Sequence, residues 1–87
     1  MEFAYDPDKD AANLRKHGIP LASGVLLDLG LAAVSADERK LYGEPRFRAF
    51  GRIDGKGYCL VFTVRGEVIR MISFRRAREK EMRRYGR

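Results

Sequence analysis

The strongest constraint in this chain is a change of period at Pro45. In "RFRAFGRI", Phe47, Ala49, Gly51 and Ile53 fall on one side of an extended chain. Arg46, Arg48, Phe50 and Arg52 fall on the other. "DGKG" follows, with the Asp-Gly pair that favours a tight hairpin turn. "YCLVFTV" is β-branched and aromatic, "RGE" makes a second tight turn, and "VIRMISF" is a third strand. Three strands joined by two short turns predict an antiparallel meander.

The chain before Pro45 reads differently. "FAY" suits a short strand. "DPDKDAANLRKHG" reads as a complete helix, with Asp6 as N-cap, Pro7 at the first position and Gly18 as the left-handed stop. "IPLASGVLLDLG" predicts a second helix, with Leu21 and Val25 on one face and Gly30 at its end. "LAAVS" suits a short strand, and the polar "ADERKLYGEP" reads as the most mobile loop. "RRAREKEMRRYGR" has helix-forming composition, with Ala77, Glu81 and Tyr85 at i, i+4 and i+8. The order is β-α-α-(β)-β-β-β-α, an α+β fold in a single domain over residues 1–87. Two early helices are expected on one sheet face, with the arginine side of the meander on the other.

Charge is unevenly spread. Residues 1–44 carry five basic and eight acidic side chains, a net −3. Residues 45–74 carry +4 and residues 75–87 carry +5, within a total of +6. Such asymmetry points the C-terminal half toward a polyanion, either nucleic acid or an acidic protein. One cysteine, Cys59, excludes an intrachain disulfide and is expected in the core of the central strand. No Cys/His spacing suits zinc, and "DPDKD" lacks the glycine and glutamate of an EF-hand, so neither metal nor cofactor is expected. "MEFAYDPDKD" has no apolar segment of signal-peptide type, and no apolar run approaches the ~18 residues of a membrane span. A cytoplasmic protein is the expectation.

An ordered set of residues resembles the BrnT family. The matching features are Phe3, Asp6, Lys9, Asn13, Lys16-His17-Gly18 and Gly43-Glu44-x-Arg46, then Gly51, Ile69-Arg70-x-Ile72-Ser73, Arg75-Arg76-Ala77, Glu81 and Tyr85. The resemblance spans nearly the whole chain. It implies a toxin of a type II toxin–antitoxin system, with a fold similar to RelE-type ribonucleases, that halts translation by cleaving RNA. It also implies a small BrnA-like antitoxin as partner, and operator DNA only through that antitoxin. One position departs from the family pattern. Phe74 stands where alanine is usual, which would put a bulky group beside the site.

A ribonuclease without metal needs a base near the 2′-OH, positive charge on the phosphoryl oxygens and an acid at the 5′-oxygen. Arginine suits the second task, because its planar fork binds two phosphate oxygens and stays charged. Arg70 interrupts an apolar run, and either meets phosphate there or pairs with Glu44 or Glu81. Arg75 and Arg76 are expected at the start of the last helix, where free N–H groups also attract phosphate. Arg46, Arg48 and Arg52 form a row in which Phe50 could stack on a base. The same row could instead meet an acidic antitoxin segment. His17, the only histidine, suits acid–base work or simply a helix C-terminus. Lys16 reads as solvated. Glu44 could act as base or orient Arg46. Tyr85 could donate to the leaving oxygen or pack on the sheet. The reading set against ribonuclease is a basic binding module without chemistry.

Overall fold

The structure is a computed structural model and describes residues 2–86. The elements are β1 (Glu2–Ala4), α1 (Pro7–His17), a 3-10 segment (Leu21–Leu26), β2 (Ala33–Ala36), β3 (Phe47–Ile53), β4 (Lys56–Arg65), β5 (Val68–Arg76) and α2 (Glu79–Tyr85). The class is α+β. Five strands form one mixed sheet in the order β1-β5-β4-β3-β2. Neighbours from β2 to β5 are antiparallel, so the meander lies inside a larger sheet. β1 adds a parallel edge, with Phe3 opposite Ile69. Among the described residues no helix is long and apolar enough to cross a membrane.

Local chemistry explains α1. The Asp6 carboxylate accepts from the Asp8 N–H at 2.8 Å, and Pro7 begins the helix with a φ already suited to it. Gly18 ends it at φ 74°, a conformation that favours glycine, and its N–H returns to the Leu14 carbonyl at 2.9 Å.

Two expected helices differ. The second is not α but a six-residue 3-10 segment. Gly24 accounts for its close approach to the sheet: a Cβ there would lie 2.8 Å from Met71 Sδ and 2.9 Å from Leu60 Cδ1. The last helix starts later than its composition suggests. β5 continues through Arg76, so Arg75 and Arg76 belong to a strand and do not form a helix N-terminus.

The main core lies between α1, the 3-10 segment and one sheet face. Leu21, Leu27, Ala49, Leu60, Met71 and Phe74 are all buried in it. The opposite face is covered at one end only, where Met82 of α2 and Ala77 pack with Phe50 and Cys59. β5 changes register across this arrangement. Met71 faces Phe62 and Ser73 faces Val61, so Ile72 is one residue extra in β5. The bulge puts Phe74 on the helix side with Met71. Its ring stacks on Tyr58 at 5.1 Å. The expectation that Phe74 crowds the arginine face is therefore corrected; its side chain leaves by the other face.

β1 stops opposite Arg70, and beyond it the edge of β5 is completed by a side chain. The buried Asn13 donates to the Phe74 carbonyl at 2.7 Å and accepts from the Phe74 N–H at 3.0 Å. It also donates to the Ile19 carbonyl at 2.7 Å. One amide thus replaces a strand and ties α1 to the sheet. Asn13→Ala leaves these buried backbone groups unpaired, and urea unfolding should show a loss of about 3 kcal/mol.

Candidate active site

On the open face, four stretches of chain surround a cavity of about 240 Å³. Cys59 and Val61 of β4, with Ile72, Ser73 and Arg75 of β5, form its base. Arg46 enters just before β3, while Asp37, Arg39 and Tyr42 come from the loop after β2. Lys16 and His17 close it from the end of α1. His17 stands one helical turn beyond Asn13, so the amide that fixes α1 to β5 also fixes where His17 emerges. A second hollow of about 190 Å³ shares Lys16, His17, Ile72 and Ser73, and extends along α1 to Lys9. A larger hollow of about 640 Å³ is lined by residues 36–46 alone. The cavity of about 240 Å³ is the candidate site, because separate segments converge there with different chemistry.

The cavity is cationic, and its cations are held in different ways. Arg75 makes a two-pronged pair with Glu81, both contacts at 2.9 Å. Glu81 also accepts from the Arg78 N–H at 3.1 Å and so fixes the start of α2. The Arg75 guanidinium, foremost among these partners, pulls the Glu81 pKa down to about 2. Glu81 is therefore ionised and occupied, which suits orientation of Arg75 and not proton abstraction. Arg46 is held by stacking, its guanidinium carbon 4.1 Å from the centre of the Tyr42 ring. Arg46 Nε and Arg48 Nε are buried and have no hydrogen-bond partner among the described residues. Burial first, then Lys16 and Arg75, push the His17 pKa below its usual 6.5. His17 is thus neutral at neutral pH and able to take a proton. Burial raises the Cys59 thiol pKa, which keeps it protonated.

Several expected site residues lie elsewhere. Arg70 is half-buried, and its neighbours Ile69 and Met71 point into the core, so it projects from the open face outside the cavity lining. Neither acid suggested for it is its partner. Glu44 pairs with Arg65 at 3.2 Å, and Glu81 pairs with Arg75. Phe50 is on the arginine side as its position predicts, but it is only 1% exposed. Its ring stacks on Tyr85 at 5.3 Å beneath α2, so the reading of Phe50 as a platform for a base is corrected. Tyr85 is used in that packing, between the guanidinium groups of Arg48 and Arg84 at 5.1 and 5.3 Å. Arg52 is bound by Glu79 at 2.7 Å, away from the cavity. Arg76 stacks over Tyr58 and donates to the Gly57 carbonyl at 3.2 Å, so it is tied outside the cavity too.

Other residues enter that sequence reading passed over. Lys16 lines both hollows, and Arg39, Tyr42 and Ser73 line the main one. Asp37 was hidden in a stretch read as mobile loop, yet it is 4% exposed and binds Arg39 and Tyr42. Among the described residues no three His, Cys, Asp or Glu side chains come together in a way that could hold a metal ion.

A family model described as "Ribonuclease toxin, BrnT, of type II toxin-antitoxin system" matches residues 5–81. The chain belongs to the BrnT family. Every residue lining the cavity falls inside the matched stretch, whereas Tyr85 lies beyond it. A comparison with curated proteins gives no match.

The electrostatic account of His17 can be checked directly. An NMR titration should place its pKa below 6.5. Lys16→Met should raise it, and Arg75→Met should raise it by less, since Lys16 is the larger of the two charge effects.

Proposed function

We propose that this chain is the toxin of a type II toxin–antitoxin pair, a metal-independent endoribonuclease that blocks translation by cleaving RNA in the cytoplasm. The observation that carries this reading is the convergence of His17, Lys16, Arg46 and Arg75 around one cavity from separate segments. A merely solvated basic surface has no need to bring a partly buried histidine and cations from separate segments around one cavity. The fold relationship to RelE-type ribonucleases belongs to the same proposal. So does neutralisation by a BrnA-like antitoxin that carries the contact with operator DNA.

Neutral His17 takes the proton of the ribose 2′-OH. The 2′-oxygen attacks the adjacent phosphorus, and negative charge grows on the phosphoryl oxygens. Arg46 meets that charge with donors already in place, and Arg75 adds the Nε–H and the one Nη2–H that its pair with Glu81 leaves over; a preorganised site contributes most in this way. The bond to the 5′-oxygen breaks, and Lys16 carries a proton that the leaving oxygen can take. The products are a 2′,3′-cyclic phosphate and a 5′-hydroxyl. Guanidinium groups meet the phosphoryl charge here, so no divalent ion is required. Arg70, on the same sheet face beyond the cavity, binds a flanking phosphate.

The test uses purified protein freed of antitoxin, in EDTA, on free RNA and on ribosome-bound messenger RNA. Cleavage that leaves 2′,3′-cyclic ends is expected. Loss of the base in His17→Ala should lower the rate at saturating RNA by about 10²-fold or more. The acid limb of the kcat/KM–pH profile, which reports the free protein, should lie below pH 6.5, because His17 must lose its proton to act. Arg70→Ala should weaken RNA binding and reduce its salt slope by about 1, with a smaller effect on the saturated rate. A folded wild type that cleaves neither substrate refutes the enzyme and leaves a basic binding module.

A further inference from the structure

We infer that Asp37 and Tyr42 are positioning residues for Arg46, and that they act by holding its guanidinium without occupying its donors. The inference rests on the ribonuclease reading of the cavity but is separable from it by experiment.

The arrangement begins at the base of the loop. Ala36 faces Phe47 in the ladder between β2 and β3. One step further, the Asp37 N–H donates to the Arg46 carbonyl at 2.7 Å. This bond brings the two ends of the loop together and turns the Asp37 side chain inward. Its carboxylate is fully buried. A buried charge is tolerated only with strong partners. Arg39 supplies them, donating from Nε at 2.7 Å and from a terminal nitrogen at 2.8 Å. The Arg39 backbone N–H adds a third bond at 3.3 Å and the Tyr42 hydroxyl a fourth at 3.2 Å. Led by the Arg39 contact, these donors hold the Asp37 pKa well below the usual carboxylate range, so the charge persists at any ordinary pH. Tyr42 is thereby fixed at its hydroxyl, and its ring face is presented to Arg46.

Arg48 rests on the Tyr85 ring in a similar way, away from the cavity, but three other arginines are held by acids. Arg52, Arg65 and Arg75 each meet a carboxylate, which takes up donors and offsets charge. Arg46 instead rests on an aromatic face, and its buried Nε has no acceptor among the described residues. An acid paired directly with Arg46 would compete with phosphate. Asp37 avoids this by acting one residue removed: the carboxylate fixes the phenol, and the ring fixes the guanidinium. The terminal nitrogens of Arg46 then remain for the phosphoryl oxygens, while the ring and the loop enclose its Nε.

The experiment is a double-mutant cycle between Tyr42 and Arg46, with folding checked by thermal melts. Tyr42→Phe keeps the ring and loses the bond to Asp37. Tyr42→Leu loses both. Each is made in the wild type and in Arg46→Ala. Two readouts are taken: cleavage of RNA at saturation, and binding of the same sequence as 2′-O-methyl RNA, which cannot be cleaved. With Arg46 present, Tyr42→Leu should reduce cleavage by about tenfold, with Tyr42→Phe in between. With Arg46→Ala, neither Tyr42 variant should cost anything further. Equal losses in the two backgrounds overturn the positioning role. If the wild type does not cleave, the ribonuclease reading falls, and the binding cycle alone decides. Coupling there sustains the positioning of Arg46 as an anion ligand, and additivity overturns it.

Discussion

The two faces of this sheet owe their difference to one extra residue. Without the bulge at Ile72, strict alternation from Ile69 and Met71 would send Ser73 and Arg75 toward the helices. It would also send Phe74 out to the open face. The bulge reverses all three. Phe74 drops into the core with Met71, and Ser73 and Arg75 reach the cavity. A misplaced Arg75 would be a guanidinium in an apolar layer, which is costly without partners. Asn13 binds the backbone of Phe74 two residues after the bulge, so the same amide holds the corrected register and the helix that carries His17.

The arginines that crowd the C-terminal half do not form one surface. Arg75 is tied to Glu81 and Arg52 to Glu79, so two pairs anchor α2 to the sheet. Glu79 and Arg52 are exposed, and their pair adds little by itself. The apolar contact of Met82 with Phe50 and Cys59 does more to seat the helix. Arg48, Tyr85 and Arg84 form a stack on that same end. Net charge therefore points to a polyanion, but only a few of the cations are free to meet it. Local partners, and not the count of basic residues, decide which ones.

Period and turn chemistry made the meander legible. Asp54 and Gly55 both adopt positive φ, as an Asp-Gly hairpin turn requires, and Gly66 does the same at the next turn. The bulge also left a trace, since Phe74 breaks the alternation of Ile69 and Met71 by one residue. The 3-10 segment left none, because what constrains Gly24 is the contact with Met71 and Leu60 from distant strands. The parallel pairing of β1 with β5 likewise depends on the path of the whole chain. At the site, residue type exposed the arginines and His17, but not which of them share a cavity. Phe50 was placed on the correct side, and only the docking of α2 reveals that it is covered. "ADERKLY" looked solvated because polar composition does not show that Arg39 and Tyr42 turn back on Asp37.

A helix C-terminus ordinarily favours a protonated histidine. His17 stands at such an end, yet burial and the charges of Lys16 and Arg75 outweigh that preference. In the proposed reaction these same two cations have a second use. A bound phosphate brings negative charge into the cavity and offsets them. The penalty they place on a protonated His17 then falls, and the imidazole becomes a stronger base when substrate is present. Free enzyme holds the histidine ready in its neutral form, and the substrate's own charge stabilises the imidazolium formed on proton transfer. In the proposed reaction, burial and these cations together keep His17 unprotonated while the cavity is empty, and the charge of bound RNA lets it accept a proton.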